Sequence, residues 1–292
     1  MVEPTPLMPS LTGSFSSPAG GNPTGAMVEA AYAHHGILAR YVNAEVRPAG
    51  LAAAVAGAKA MGWLGFNCSL PHKQAVIPLL DELAQSARLI GAVNCAVERD
   101  GAWVGENTDG QGFVAALREI VDPAGQRVVV LGAGGAGRAI AVELALAGAA
   151  SVTIVNRDVE KARALADVIV EGTTATARAE AWLGDHAVAA DATVVVNATS
   201  VGLAPRIDER LAVDLETIRA GVVVCDVIPN PPVTPFLRAA AERGARTLDG
   251  RGMLAQQAAR NVELWTGVRP DLAVMRTALD RAIGDWRHPT SS

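Results

Sequence analysis

Arg127-Val-Val-Val-Leu131 runs directly into Gly132-Ala-Gly134-Gly135-Ala136-Gly137, and Arg138-Ala-Ile-Ala-Val-Glu-Leu-Ala-Leu146 follows. The first piece is a short apolar, β-branched run of the kind buried on both faces of a parallel sheet, and the last has helical spacing. Glycines spaced G-x-G-x-x-G between them meet three separate needs. Gly132 permits the tight turn, Gly134 lets backbone approach a pyrophosphate, and Gly137 allows the helix to pack close to the strand. Amides at the helix N-terminus, around Gly135 and Ala136, then face the phosphates. The stretch reads as a dinucleotide-binding strand–turn–helix, against the alternative of a glycine-rich turn with no ligand.

Similar units extend outward from this one. Apolar β-branched runs recur at Ser151–Val155, Ala192–Val196 and Val222–Val227, with helical spacing at Asp158–Val170 and Pro235–Arg243. Strands alternating with helices predict an α/β parallel sheet covered on both faces, over about residues 109–250. Upstream, Thr24–His35 and Leu51–Met61 read as helices and Trp63–Cys68 and Ala92–Val97 as strands, with Asp100-Gly101 as a hairpin turn. Beyond Gly250, Leu254–Trp265 and Asp271–Trp286 read as helices, and His288–Ser292 as a frayed end.

Composition excludes several classes of function. The 292 residues are 50% hydrophobic, which excludes a disordered chain. The most apolar stretch, 128–150, is broken by Gly132, Gly134, Gly135, Gly137, Arg138 and Glu143, whereas a membrane span needs ~20 mostly apolar residues. Met1–Pro9 has neither a basic n-region nor an apolar core, so no signal peptide is expected. A net charge of −5 argues against a nucleic-acid partner. Cys68, Cys95 and Cys225 form no C-x-x-C and read as buried, reduced thiols, which points to the cytoplasm. No histidine pair has zinc-ligand spacing, so no metal site is expected.

The end of the second strand, Asn156-Arg157-Asp158, bears on which dinucleotide binds. An acidic residue directly at the strand end would take the ribose hydroxyls of NAD. Arg157 instead offers a planar cation for the 2′-phosphate of NADP, and Lys161 a second positive charge one turn later. Asp158 opposes this. NADP is therefore favoured, with NAD as the alternative and a purely helix-capping role for Arg157 and Asp158 also open.

Further motifs resemble those of the shikimate/quinate dehydrogenase family, and especially its divergent shikimate-dehydrogenase-like branch. They are Gly65-Phe-Asn67-Cys-Ser69-Leu-Pro71-His-Lys73, Ala92-Val-Asn94, Asn107-Thr-Asp109-Gly110, Val196-Asn-Ala-Thr199-Ser-Val-Gly202, Gly252-Met-Leu-Ala-Gln-Gln257 and Leu264-Trp-Thr-Gly267. The resemblance implies a two-domain enzyme, with a Rossmann-type NAD(P)-binding domain at 109–250 inserted between 1–108 and 251–292 of an α/β substrate-binding domain. It implies NADP-dependent, reversible oxidation of shikimate or a related cyclic hydroxy acid, by a monomer or homodimer. An NAD-linked quinate/shikimate catabolic enzyme and a nucleotide-binding regulatory protein are the alternatives.

Carried over by position, the resemblance makes Lys73 and Asp109 the catalytic pair, Lys73 exchanging the proton as hydride moves and Asp109 orienting it. By composition alone Asp109 could equally cap a helix. Asn67, Ser69, Asn94 and Gln257 would bind ring hydroxyls. Thr199 and Gly250 join the glycine loop, Asn156, Arg157 and Lys161 in holding the cofactor. The N-terminal anchor departs from the family pattern, and Ser10 and Thr12 are expected to bind the substrate carboxylate, with Ser16 and Ser17 as rivals. Pro229 stands where the family commonly has a tyrosine, a lost contact that bears on substrate identity.

Overall fold

The computed structural model describes residues 8–284; the expected frayed end and the expected helical end at Trp286 lie outside the described residues. The chain divides into two compact units. One runs to Thr108 and resumes at Ala258, and the other is Asp109–Gln257. The expected boundary near residue 250 therefore falls later, inside a helix.

The first unit contains strands β1 (Ser10–Ser16), β2 (Ala39–Glu45), β3 (Gly65–Cys68), β4 (Glu82–Leu83), β5 (Cys95–Arg99) and β6 (Ala102–Glu106). Its helices are α1 (Thr24–His35), α2 (Leu51–Ala60), α3 (His72–Ala75) and α4 (Gln85–Ile90). The strands form one mixed sheet in the order β2-β1-β3-β5-β6-β4, in which β1, β2 and β3 are parallel. Alternation divides the residues of β1 between two faces. Phe15 joins Trp63, Phe66 and Trp103 in an apolar core, while Thr12 and Ser14 turn the other way. The β5–β6 hairpin turns on Asp100 (φ 52°) and Gly101 (φ 86°), the positive-φ pair that the Asp-Gly signal predicts.

Helix α5 (Thr108–Leu117) leads into the second unit. There β7 (Arg127–Leu131), α6 (Gly135–Leu146), β8 (Ser151–Asn156), α7 (Val159–Gly172) and β9 (Thr176–Ala181) follow. Next come β10 (His186–Ala187), β11 (Val194–Asn197), β12 (Val213–Asp214), β13 (Val223–Asp226), α8 (Pro235–Glu242) and β14 (Arg246–Leu248). The six-stranded sheet, β14-β13-β11-β7-β8-β9, is wholly parallel, and Val128–Leu131 and Val194–Asn197 are buried throughout. Order reverses direction at β7, where a doubly wound sheet opens its ligand crevice. Helix α9 (Gly250–Thr266) carries the chain from one unit to the other, and α10 (Leu272–Gly284) ends the described chain. Among the described residues, no helix is long and apolar enough to cross a membrane.

Candidate active site

In the second unit, Val155 O accepts from Gly132 N, and Gly132 turns with φ 107°, a conformation that L side chains rarely adopt. A Cβ on Gly137 would lie 2.0 Å from Gly132 O, so α6 packs on the turn only because that carbon is missing. Gly134 and Gly135 differ: a Cβ on either would meet no protein atom within 4 Å. Their bare backbone faces open space, and the first helical bond of α6 is Arg138 N to Gly134 O at 2.8 Å. The amides of Gly135, Ala136 and Gly137 thus precede intrahelical pairing and are available to an anion. These residues fit a pyrophosphate.

Asn156 braces this loop. Its Oδ1 accepts from Ala133 N at 3.1 Å and its Nδ2 donates to Asp158 O at 2.8 Å. Asp158 caps α7, accepting from Lys161 N at 3.4 Å, and its other oxygen lies 3.6 Å from Lys161 Nζ. The carboxylate that opposes phosphate binding is therefore turned to the helix and to Lys161. Arg157 is exposed beside them. If it holds a 2′-phosphate, Arg157→Leu raises KM for NADP about tenfold or more, the loss of one charge-assisted bond, and leaves KM for NAD unchanged. Equal losses for both dinucleotides would remove Arg157 from this role.

Behind the loop, a buried network joins three segments. Asn197 Nδ2 donates to Asp226 at 3.1 and 3.2 Å, Thr234 Oγ1 donates to it at 2.8 Å, and Ile228 N donates at 3.1 Å. Thr199 turns back to Asn197 Oδ1 through both its amide and its hydroxyl. Gly250 N reaches Ile228 O at 3.3 Å, and a Cβ there would meet Val227 O at 2.3 Å. Gln257, half-buried on α9, packs its backbone and Cβ against the bare Cα of Gly112 on α5.

Burial raises the Asp226 carboxyl to about 6 despite its four donor contacts. A raised native value stabilises the fold in acid, and that contribution is lost as pH rises through 6. Thr234→Val removes a bond to the charged form and a cap from α8. Its destabilisation should be about 1 kcal/mol in acid, from the cap, and grow by about 1.5–3 kcal/mol towards pH 8. Urea unfolding of both proteins across that range measures the difference; a flat difference would contradict it.

In the first unit, Lys73 lies in the single turn of α3. His72 Nε2 is 2.6 Å from Val46 O, His72 N donates to Ser69 O at 2.8 Å, and Val93 N donates to Lys73 O at 2.8 Å, so the turn is pinned on several sides. Asn67 Oδ1 accepts from the Tyr41 hydroxyl at 2.9 Å and its Nδ2 donates to Asn94 O at 3.0 Å. Asn94 in turn fixes the end of the unit: its Oδ1 accepts from Thr108 N at 2.7 Å and its Nδ2 donates to Thr108 Oγ1 at 3.0 Å, which donates to Asn261 Oδ1 at 2.7 Å. Asp109, next in sequence, lies inside the first turn of α5 and is not its cap. Asn94 thus acts on the residue that precedes Asp109, a role the sequence reading did not contain.

The expected carboxylate anchors differ in burial, Ser10 being exposed. Thr12 is fully buried, and its hydroxyl bonds with the Tyr32 hydroxyl at 2.9 Å and donates to Arg40 O at 3.2 Å. Ser10 opens β1, four residues before Ser14, the residue level with Asn67. At ~3.3 Å per residue it lies about 13 Å along the strand from that row. The rivals are Ser16 and Ser17. Ser16 is buried, and the Ser17 hydroxyl donates to Glu45 at 2.6 Å. With the Ala19 amide, that bond holds the Glu45 carboxyl below its ordinary range.

Three family models match the chain: the shikimate dehydrogenase substrate binding domain at residues 17–96, shikimate/quinate 5-dehydrogenase at 115–233, and the shikimate 5′-dehydrogenase C-terminal domain at 250–279. A shikimate dehydrogenase (NADP(+)) from Desulforamulus reducens is 41% identical over 93% of this chain and 94% of its own. The chain belongs to the shikimate dehydrogenase family.

Members of this family are NAD(P)-dependent oxidoreductases acting on a hydroxyl group. The crystal structure of shikimate 5-dehydrogenase from Thermus thermophilus in complex with NADP(H) and shikimate is 31% identical, with a TM-score of 0.80, covering 94% of this chain and 99% of that one. A ligand-free 5-ketofructose reductase from Gluconobacter sp. strain CHM43 is 54% identical, with a TM-score of 0.92, covering 94% of this chain and 99% of its own. Against the family pattern, Pro229 offers only its carbonyl, which accepts from Arg251 Nε at 3.2 Å.

The three cysteines are free and buried; burial pushes Cys68 to about 12 and raises the other two thiols as well, so none is a ready nucleophile. Among the described residues, no group of three or more His, Cys, Asp or Glu side chains is placed to hold a metal.

Proposed function

We propose that this protein is an NADP-dependent oxidoreductase that interconverts a hydroxyl and a ketone on a small polyhydroxylated substrate. The reaction carried over from its curated relatives is 3-dehydroshikimate + NADPH + H⁺ ⇌ shikimate + NADP⁺. The observation that carries this reading is the glycine loop, with its backbone bare at Gly134 and Gly135, in a chain aligned to NADP-dependent shikimate dehydrogenases over 93% of its length.

The second unit binds the dinucleotide through Gly132–Gly137, Arg157 and Lys161. The cofactor supplies or accepts the hydride. Lys73 exchanges the proton at the reacting oxygen, and Asp109 orients it. Asn67, Ser69, Asn94 and Gln257 bind the remaining hydroxyls; neutral amides and hydroxyls suit such groups because each both donates and accepts. The buried thiols suit a reducing cytoplasm.

A second reading, reduction of an uncharged polyhydroxy ketone, is favoured by the engagement of the Thr12 hydroxyl with Tyr32 and Arg40 O and by the 54% identity to a 5-ketofructose reductase. Initial rates for shikimate, quinate and 5-ketofructose with both dinucleotides test the proposal. Turnover of at least one with NADP supports it. No turnover by a protein that binds NADPH would favour the regulatory alternative.

A further inference from the structure

The parallel register of β1, β2 and β3 sets Ser14 opposite both Asn43 and Asn67, three polar side chains in one row. Tyr41 stands on the same face, two residues before Asn43. They are bonded in two pairs. Ser14 Oγ donates to Asn43 Oδ1 at 2.8 Å, and the Tyr41 hydroxyl donates to Asn67 Oδ1 at 2.9 Å. Ser14, Tyr41 and Asn67 are buried, whereas Asn43 is exposed, so the row presents an amide backed by a rigid polar support. The start of α1 borders it: a Cβ on Gly25 would lie 3.4 Å from Asn43 Nδ2.

The electrostatic setting is unsuited to an anion. On these three strands the positions sharing the row's face carry no lysine or arginine, and their one charged side chain is Glu45. Glu29 approaches from α1, accepting from Tyr41 N, and the nearby cation Arg40 is paired with it at 3.1 Å. Asn22 Oδ1 already takes the Thr24 amide at the start of α1. A carboxylate brought to this row would lose water and face two acids, with no cation on the row's own face and Arg40 already paired, and burying an uncompensated charge is costly. An uncharged polyol loses nothing comparable, because hydroxyls and amides replace its water bonds.

We infer that the Ser14–Asn43–Asn67 row with Tyr41 is a recognition element for an uncharged polyhydroxy ketone, with Asn43 as its specificity-determining contact. The inference rests on the hydride-transfer function proposed above and selects its substrate class.

Rates of NADPH oxidation with 5-ketofructose and with 3-dehydroshikimate test it. The expected kcat/KM is about a hundredfold or more higher for the uncharged ketone. Asn43→Ala should raise KM for 5-ketofructose about tenfold with kcat little changed, the loss of one neutral hydrogen bond. Asn43→Lys should narrow the gap by improving 3-dehydroshikimate. Asn43 is exposed, and unchanged NADPH affinity would establish that each variant is folded. Preference of the wild-type protein for 3-dehydroshikimate, or an Asn43→Ala variant with unaltered KM, would overturn the inference while leaving the oxidoreductase reading in place. NADPH binding with neither ketone reduced would overturn both.

Discussion

Lys73→Ala is expected to lower kcat by about 10²–10⁴, the usual contribution of a positioned proton donor or acceptor, with NADP affinity unchanged. The second half of that outcome follows from topology. Lys73 belongs to the first unit, on a turn held by His72 and Val93, whereas the glycine loop, Arg157 and Lys161 belong to the second. Removing the ammonium leaves the pinned backbone of α3 untouched, because its restraints run through His72 and the Lys73 carbonyl. Single-turnover rates at saturating dinucleotide, with affinity read from NADPH fluorescence, separate the two quantities. Retention of most of the wild-type rate would rule out Lys73 as the proton-transfer group.

The second large effect contrasts two glycines two positions apart. Gly137→Val places carbon within 2.0 Å of a backbone oxygen, so either α6 or the Gly132 turn must shift. Overpacking of this kind costs about 1–3 kcal/mol, occasionally more. Both the melting temperature and NADPH affinity should fall. Gly135→Ala meets no protein atom within 4 Å and sits in the first turn of α6, so stability should hold or rise by about 0.5–1 kcal/mol. Its methyl would enter the open space proposed to receive a pyrophosphate, and affinity should still fall about tenfold or more. Loss of binding without loss of stability marks a glycine kept for a ligand; unchanged NADPH affinity in Gly135→Ala would displace the phosphate site from this loop.

The two units differ in how openly the sequence declares them. Strands β7, β8, β11 and β13 are runs of valine and isoleucine because helices cover both faces, and such runs stand out without any partner in view. Strands β1 and β2 escaped that reading. Ser-Leu-Thr-Gly-Ser-Phe-Ser carries polar side chains at every second position, β2 does so from Tyr41 to Glu45, and the polar face is the one that bears the candidate contacts. The same alternation bears on the choice among the expected anchors. Ser10, Thr12, Ser14 and Ser16 are equivalent by composition, and only pairing with Asn43 and Asn67 distinguishes Ser14. A period-two count over 10–16 would have flagged the strand, but not the register. Asp226 carries no sequence signal of its role, since its charge says nothing of the donors that β11 and α8 bring to it.

Both crossings between the units fall at helical residues, at the start of α5 and midway along α9. Limited digestion favours extended, exposed loops, and neither crossing supplies one. Nicking at surface loops would therefore leave the two units covalently joined by intact helix. A gene fragment cut at the unit boundaries would begin at the first turn of one helix and end inside another, leaving α9 severed. The dinucleotide unit is thus a poor candidate for transplantation as a cassette, and exchange with a relative is better made by grafting the loop and strand ends while retaining both helices whole.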